Sequence, residues 1–522
     1  MNELSMLERA CSTHEESFLF PFHTSVHVGV EPIEAYCALP STECAYLLES
    51  ADGEGRGRFS FVGSHPLALI TMRARHLIFE PMEKNELTER IERTLEHTLT
   101  HDGKGYLLED MDVLDALRLV HPVSCIPVVS CDTKRQLLDG GLVGALGYEA
   151  AYSCWLKELV RDDVLCGAFM LTTSNMVFDH RKGCVHLLAC EVVHPQSPDE
   201  ARLRAERRLC EMKDILRRAR RPSCRGAQVG DVDYRVNSLR SKQQPQEHTS
   251  KEQFERMVAR AKQHVFDGDV FQVVLSRKCT IPTDATPVEL YTALRSINPS
   301  PYMYLLHFPK FAIIGASPER MLSVYDGVLT VNPIAGTYPR GTPEQEERLA
   351  AGLLGDEKER AEHVMLVDLA RNDVRMVCRP GSVRVSEFMR VKRYSHVQHI
   401  ESTVEGRLRD GMDVFDAIRA VFPAGTLSGA PKLRAMEIIH ELEGRPRGFY
   451  GGGVGYISLS GSADFAITIR TIVLEDGVAS VQAGAGIVAD SVPSREYEET
   501  CSKMGAMLEA IRSLAIQREV GT

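Results

Sequence analysis

From Asp356 to Asp373 the chain reads DEKERAEHVMLVDLARND, charged in its first half and almost wholly apolar from Val364 to Ala370. Neither Gly nor Pro interrupts it, so it predicts one buried helix rather than a strand. On that helix Glu359 and Glu362 stand three apart and share a face. Two neighbouring carboxylates repel and raise each other's pKa unless a cation lies between them. A lone pair of this kind reads first as a solvated helical face.

A second acidic pair follows in SREYEETCSKMGAMLEAIR, where Glu496, Glu499 and Lys503 form one polar stripe. Tyr497, Cys501, Met504, Leu508 and Ile511 form the apolar stripe that packs this helix on a core. Ser494 is the expected cap, with Tyr497 in place of the Glu that would complete a capping box. Two helices each presenting a Glu-x-x-Glu face could clamp one hard divalent ion, and oxygen-only ligands favour Mg²⁺ over zinc or copper. Spacing alone leaves open whether the helices meet.

The chain has 522 residues, 43 % hydrophobic and 25 % charged, as a soluble globular protein does. Its 61 Lys and Arg against 72 Asp and Glu leave a net charge of −11, which argues against a general nucleic-acid binder. The 14 cysteines are scattered with no CxxC, as in a reducing cytoplasm. Residues 1–20 lack the apolar core of a secretory signal, and no apolar run reaches membrane-spanning length. The expectation is a cytoplasmic protein with no membrane partner.

The first part of the chain reads as short strands and turns, with few long helical patterns. Ala45–Glu49, the FSFVG segment, Leu137–Gly147, Asn175–Asp179 and Cys184–Cys190 are the expected strands, the last two joined across His180–Gly183. An Arg-rich helix runs from about Pro198 to Arg221, where a cationic end suits the helix dipole. Residues 223–248 are polar and read as a linker. Ser250 and Gln253 then form a capping-box pattern, worth about 1 kcal/mol for the cap. A strand through VFQVVLS, a helix Val288–Ile297 and strands near Tyr302–His307, Ala312–Gly315 and Val328–Val331 follow, with Asp326-Gly327 as a hairpin signal.

Three Gly-rich segments, Pro423–Lys432, Gly448–Gly455 and Ala483–Gly486, read singly as turns or as places where a ligand approaches the backbone. The first, PAGTLSGAPK, leads into a helix whose free N–H groups would suit an anion, although the spacing of a phosphate loop is absent. Arg470 and Lys503 add positive charge suited to carboxylates.

Together PIAGT at 333–337, EHVMLVDLARND at 362–373, HIES at 399–402, PAGTLSGAPK at 423–432 and AGAGIVADSVPSREYEET at 483–500 resemble the large subunit of anthranilate synthase, within the chorismate-utilising enzymes. The match covers most of 250–510 in family order. LLES at 47–50 and NPSPYM at 298–303 resemble the segments of that family's tryptophan pocket, with Glu49, Ser50, Pro301, Tyr302 and Met303 as inhibitor-binding residues. The resemblance implies an α/β fold (α+β type) of two large packed β-sheets flanked by helices. It further implies a regulatory region at 1–222, the linker at 223–248 and a chorismate-binding catalytic region at 249–522.

It also implies roles. Glu362 and Glu499 would hold Mg²⁺, with Glu359 and Glu496 assisting, and the metal would meet the ring carboxylate of chorismate. Gly336, Thr337, Tyr450, Arg470, Gly484, Ala485 and Gly486 would bind substrate. Glu319 would protonate the departing hydroxyl, His399 would act as base, and Thr426 and Lys503 would orient and balance charge. Relatives that use a Lys nucleophile in PI-x-GT differ here, where Ala335 stands. Relatives that activate water carry Lys where Gln272 stands, and an amide is no base at neutral pH, whereas ammonia needs none. Arg375 replaces a common Gly in the RND segment, which predicts an altered local turn. With no glutamine-hydrolysing unit visible, a separate glutamine amidotransferase subunit would deliver ammonia in a hetero-oligomer. The rivals are aminodeoxychorismate synthase and a non-catalytic subunit that binds chorismate or tryptophan for regulation.

Overall fold

The computed structural model describes residues 3–50, 58–124, 126, 138–161, 164–220, 245–339, 350–352, 354–393 and 397–520. Among them the strands form two twelve-stranded sheets. The first runs Phe18–Val26, Cys184–Val193, Ser174–Asp179, Phe59–Ser64, Ala45–Glu49, Tyr302–His307, Phe311–Ser317, Thr471–Glu475, Val478–Ile487, Gln272–Pro282 and Gln246–Glu247, with Gly429–Ala430 added beside Gln272. The second runs Ile334–Pro339, Val397–Arg407, Val328–Val331, Arg320–Tyr325, Ala463–Ile467, Gly453–Ser458, Gly141–Leu146, Leu165–Thr172, Ala68–Arg73, His76–Pro81 and Tyr106–Leu107, with Arg384–Arg393 added beside Val397–Arg407.

Strands buried on both faces send alternate side chains into different cores. In Tyr302–His307, Met303 and Leu305 enter an outer core while Tyr304 and Leu306 enter the layer between the sheets. In Gly141–Leu146 of the other sheet, Val143 and Ala145 meet that same layer, while Leu142 and Leu146 face away. Helices cover the outer faces. Pro198–Ala219, Pro287–Ile297 and Pro493–Val520 supply Leu216, Leu290 and Met504 to one. Glu86–Thr98, Val113–Val120 and Val414–Val421 supply Ile91, Leu117 and Ile418 to the other. The architecture is therefore two packed antiparallel sheets between helical layers.

Strands from both sides of 223–248 enter both sheets. Ala45–Glu49 pairs with Tyr302–His307, and Gly141–Leu146 pairs with Gly453–Ser458. The expected regulatory and catalytic regions are thus interleaved rather than built on separate sheets. Most of the expected linker lies outside the described residues, and its end, Gln246–Glu247, is a short strand on Thr280 and Cys279.

The expected strands form, and Asp326 and Gly327 take positive φ of 49° and 67° in the hairpin between Arg320–Tyr325 and Val328–Val331. The Ser250–Gln253 capping box closes in both directions. The acidic helix spans Glu357–Val377 and passes through Arg375, which is solvent-exposed, so the residue alters no turn. The C-terminal helix spans Pro493–Val520. Ser494 is thus inside the helix rather than its cap, because the fixed φ of Pro suits the first helical position. The N-terminal part also holds more helix than the periodicity suggests: Glu3–Thr13, Glu86–Thr98 and Val113–Val120. The second of these is capped by Asn85, whose side chain accepts from the Thr88 N–H.

Candidate active site

Glu319 lies where the chain leaves Phe311–Ser317 of one sheet for Arg320–Tyr325 of the other. Its backbone is pinned there: its carbonyl accepts from Ile467 N at 3.0 Å, and Ser317 Oγ donates to Ile467 O at 2.7 Å. The side chain is buried and its Oε1 accepts from Thr426 Oγ1 at 2.9 Å. Thr426 sits in the short helical turn Gly425–Leu427, held close to the acidic helix because a Cβ on Gly425 would stand 2.2 Å from Leu369 Cδ2. Burial pushes the Glu319 carboxyl up to about 8, with Thr426 and Lys503 pulling it down and Glu401 adding to the rise. At neutral pH it carries its proton and can give it away.

Beside it, Lys503 Nζ reaches Gly484 O at 3.0 Å and Glu499 Oε1 at 2.6 Å, and Arg470 Nη1 donates to Lys503 O at 2.7 Å. Arg470 itself has a left-handed φ of 53°, and burial lowers its guanidinium pKa. A Cβ on Gly484 would stand 2.7 Å from Tyr450 Oη, and one on Gly486 would stand 2.4 Å from Gln272 Nε2. Both glycines are therefore places where functional side chains lie flat against a strand, a reason for Gly that involves no turn. Ala485 is fully buried between them. Gln272 Oε1 is buried with no hydrogen-bond partner. Glu319, Thr426, Lys503, Arg470, Tyr450, Gln272 and Gly484–Gly486 are thus brought together from seven places in the chain.

His399 lies in Val397–Arg407, buried, opposite Lys392 on one side. On the other, Ile334–Pro339 pairs with it through a register shift between Ala335 and Tyr338. The shift leaves Gly336 and Thr337 without ladder partners in the register, opposite His399. Next to this strand His363 is buried, with Nε2 2.6 Å from Ser402 Oγ, and burial lowers its pKa to about 4. That contact fastens the acidic helix to the strand carrying His399.

Glu359 and Glu362 lie half-buried on the acidic helix, and on the C-terminal helix Glu496 is half-buried and Glu499 exposed. Their donor atoms are all carboxylate oxygens, as a hard divalent ion requires, and the Lys503 ammonium on Glu499 stands where a cation fits. Among the described residues, however, no group of three or more His, Cys, Asp or Glu is gathered as a metal centre. The chemistry of the set fits Mg²⁺; the two pairs are not drawn together in this conformation. In PAGTLSGAPK, Lys432 is taken up by buried Asp373 at 2.8 Å and by Val421 O, which leaves its charge unavailable to an anion.

The two segments expected to bind an inhibitor lie side by side, with Met303 opposite Glu49 in the ladder. Glu49, Ser50, Pro301, Tyr302 and Met303 line one cavity of about 650 Å³. Glu49 already accepts from Tyr291 Oη at 2.7 Å and from Arg295 Nη2 at 2.6 Å, partners no short-range sequence signal reveals. Across the cavity Arg320 Nε meets Tyr302 Oη at 2.5 Å, and Tyr302 Oη donates to Asp464 at 3.0 Å. Among the described residues no helix is long and apolar enough to cross a membrane.

The model of the chorismate binding enzyme family matches residues 74–509. Anthranilate synthase component 1 of Haloferax volcanii is 44 % identical over 93 % of this chain and 92 % of its own length. The protein of that name from Acetivibrio thermocellus is 40 % identical over 94 % and 95 %. The crystal structure of anthranilate synthase component I from Streptococcus pneumoniae superposes with a TM-score of 0.69 at 34 % identity, covering 92 % of this chain and 98 % of that one. MenF, the menaquinone-specific isochorismate synthase of Escherichia coli, shares the fold at 16 % identity and a TM-score of 0.63, over 98 % of this chain and all of its own. The chain belongs to the family of chorismate binding enzymes, alongside the anthranilate synthase component 1 proteins.

Proposed function

We propose that this chain is the chorismate-consuming subunit of an Mg²⁺-dependent anthranilate synthase, fed ammonia by a separate glutaminase and inhibited by tryptophan. The observation that carries the reading is the buried Glu319 carboxyl, protonated at neutral pH and held by Thr426 beside the Lys503 ammonium. Ammonia adds to the ring of chorismate as the 4-hydroxyl leaves, and Glu319 supplies the proton with which that hydroxyl departs as water. Gln272 Oε1, an acceptor without a partner, can take an N–H of the incoming ammonia and has no means of deprotonating water. His399 then removes the ring proton as pyruvate is expelled, and the ring becomes aromatic. Arg470 and Lys503 offer the cationic groups for substrate carboxylates, with Tyr450 and the backbone at Gly336 and Thr337 as orienting contacts. Glu362 and Glu499, with Glu359 and Glu496, would hold Mg²⁺, which would supply positive charge to the ring carboxylate. Ala335 offers no amine to attack the ring, which favours this reading over aminodeoxychorismate synthesis.

The deciding assay supplies the purified chain with chorismate, Mg²⁺ and ammonium, and identifies the product by fluorescence and mass. Anthranilate and pyruvate are expected. Isochorismate or 4-amino-4-deoxychorismate in their place overturns the proposal. With glutamine as the nitrogen source, turnover is expected only after a glutaminase partner is added.

A further inference from the structure

Arg447 belongs to none of the steps above, yet its guanidinium is buried to 1 % exposure beneath the site. It donates from Nη1 to Leu427 O at 2.7 Å, from Nη2 to Val274 O at 2.7 Å, and from Nε and Nη2 to the Glu443 carboxylate at 3.0 and 2.6 Å. Its Cζ lies over two aromatic rings, 4.5 Å from the centroid of Tyr148 and 5.7 Å from that of Tyr450. Three of these contacts, to Leu427, Val274 and Tyr450, involve or adjoin a residue of the site. Leu427 follows Thr426 in the turn that holds Glu319, Val274 follows Gln272 by two residues in its strand, and Tyr450 faces Gly484.

The arginine is itself immobilised. Glu149, fully buried, accepts from the backbone N–H of Arg447 at 2.6 Å and of Gly448 at 3.0 Å. Glu443 also accepts from Ser276 N at 2.7 Å and Ser276 Oγ at 2.9 Å, and Gln482 donates to that hydroxyl at 2.8 Å. A buried ion pair is a poor means of gaining stability, because desolvation offsets most of the attraction. A planar fork of fixed donors is, however, a good means of setting distances between chain segments.

We propose that Arg447 is a positioning residue for the reaction: it fixes the turn of Thr426, the strand of Gln272 and the ring of Tyr450 in one mutual register. A lysine there keeps a charge for Glu443 but has one point of donation and cannot serve both carbonyls and the stack. Thr426 would then drift from Glu319, and Tyr450 from the space above Gly484. The inference rests on Glu319 as the acid, the reading proposed above.

The test compares wild type, Arg447→Lys, the milder Glu443→Gln and Thr426→Val, with folded fractions measured by circular dichroism at the assay temperature. Arg447→Lys is expected to lower kcat roughly 100-fold, the scale of a 1 Å misplacement, with a smaller rise in KM for chorismate. The alkaline limb of kcat should move to higher pH, because the Thr426 hydroxyl that pulls Glu319 down is withdrawn while Lys503 and Glu401 stay. Glu443→Gln should shift the limb in the same direction. Thr426→Val should reproduce the shift, and the double variant with Arg447→Lys should lose little more than either alone. Losses that merely follow the folded fraction, an unmoved limb, or additive effects would make Arg447 a structural residue and overturn the proposal. A wild-type chain that makes no anthranilate would instead overturn the functional reading on which the inference stands.

Discussion

Glu319 owes its proton to burial, and the partners nearest it set how far the effect goes. Its carboxyl titrates near 8 in the fold, well above an ordinary glutamate. The sign follows: the fold holds the proton more tightly than the unfolded chain does, so the group costs no stability below the ordinary glutamate range, and stability falls as pH rises from that range to about 8 and levels off above it. Glu319→Gln should therefore melt with wild type at low pH and later than wild type already at neutral pH, the gap widening up to about pH 8. The same substitution removes the acid and should lower kcat by about 10²- to 10⁴-fold. Activity against pH should rise as ammonium loses its proton and fall as Glu319 does, and in the variant the falling limb should vanish from the residual rate. A variant as active as wild type would dismiss Glu319 as the acid. The resemblance names Glu319 as the acid, but the proton it holds depends on burial that arises only where the chain passes between two sheets.

At the scale of elements, the ladder between Ala45–Glu49 and Tyr302–His307 turns two distant segments into one wall of a cavity. The matching segments single out Glu49, Ser50, Pro301, Tyr302 and Met303. They do not reveal that Tyr291 and Arg295, on the helix Pro287–Ile297, hold the Glu49 carboxylate. Ser50→Phe puts a ring into the cavity without touching Glu319, Thr426 or Lys503. Tryptophan inhibition should weaken at least about tenfold in a titration at fixed chorismate, the loss of roughly 1.4 kcal/mol of binding. Uninhibited turnover should change little. Equal inhibition of both proteins, or none of wild type, would mean that the cavity is not the regulatory site.

For the whole molecule, the two acidic pairs pose a question of assembly. Glu362 rides on the helix Glu357–Val377, fastened to the second sheet through His363 and Ser402. Glu499 rides on Pro493–Val520, packed on the first sheet through Met504 and Ile511. A metal clamped by both would tie the two layers at the mouth of the site. Glu362→Gln and Glu499→Gln should each abolish activity at saturating Mg²⁺. They should change stability by no more than about 1 kcal/mol, since the Glu499–Lys503 pair is a half-exposed one. Calorimetric titration should show Mg²⁺ binding weakened in both variants. Full activity in either would dismiss the clamp.

Periodicity and caps alone determined the local elements: the uninterrupted acidic helix up to Asp373, the capped helix at Ser250, the hairpin at Asp326-Gly327 and the strand at Ala45–Glu49. These depend on dihedral preference and on side chains within a few residues, which a sequence carries openly. The family motifs named the site residues, because they record chemistry whose parts need not be adjacent. What the tertiary structure alone decided is everything set by burial and by the meeting of distant strands. That includes the interleaving of both halves of the chain in both sheets, the proton on Glu319, the pairing of Lys432 with Asp373, and the arginine that holds three segments in register. A pKa depends on the water excluded around a group, and a ladder on which strands lie side by side. Neither quantity exists until the chain has closed on itself.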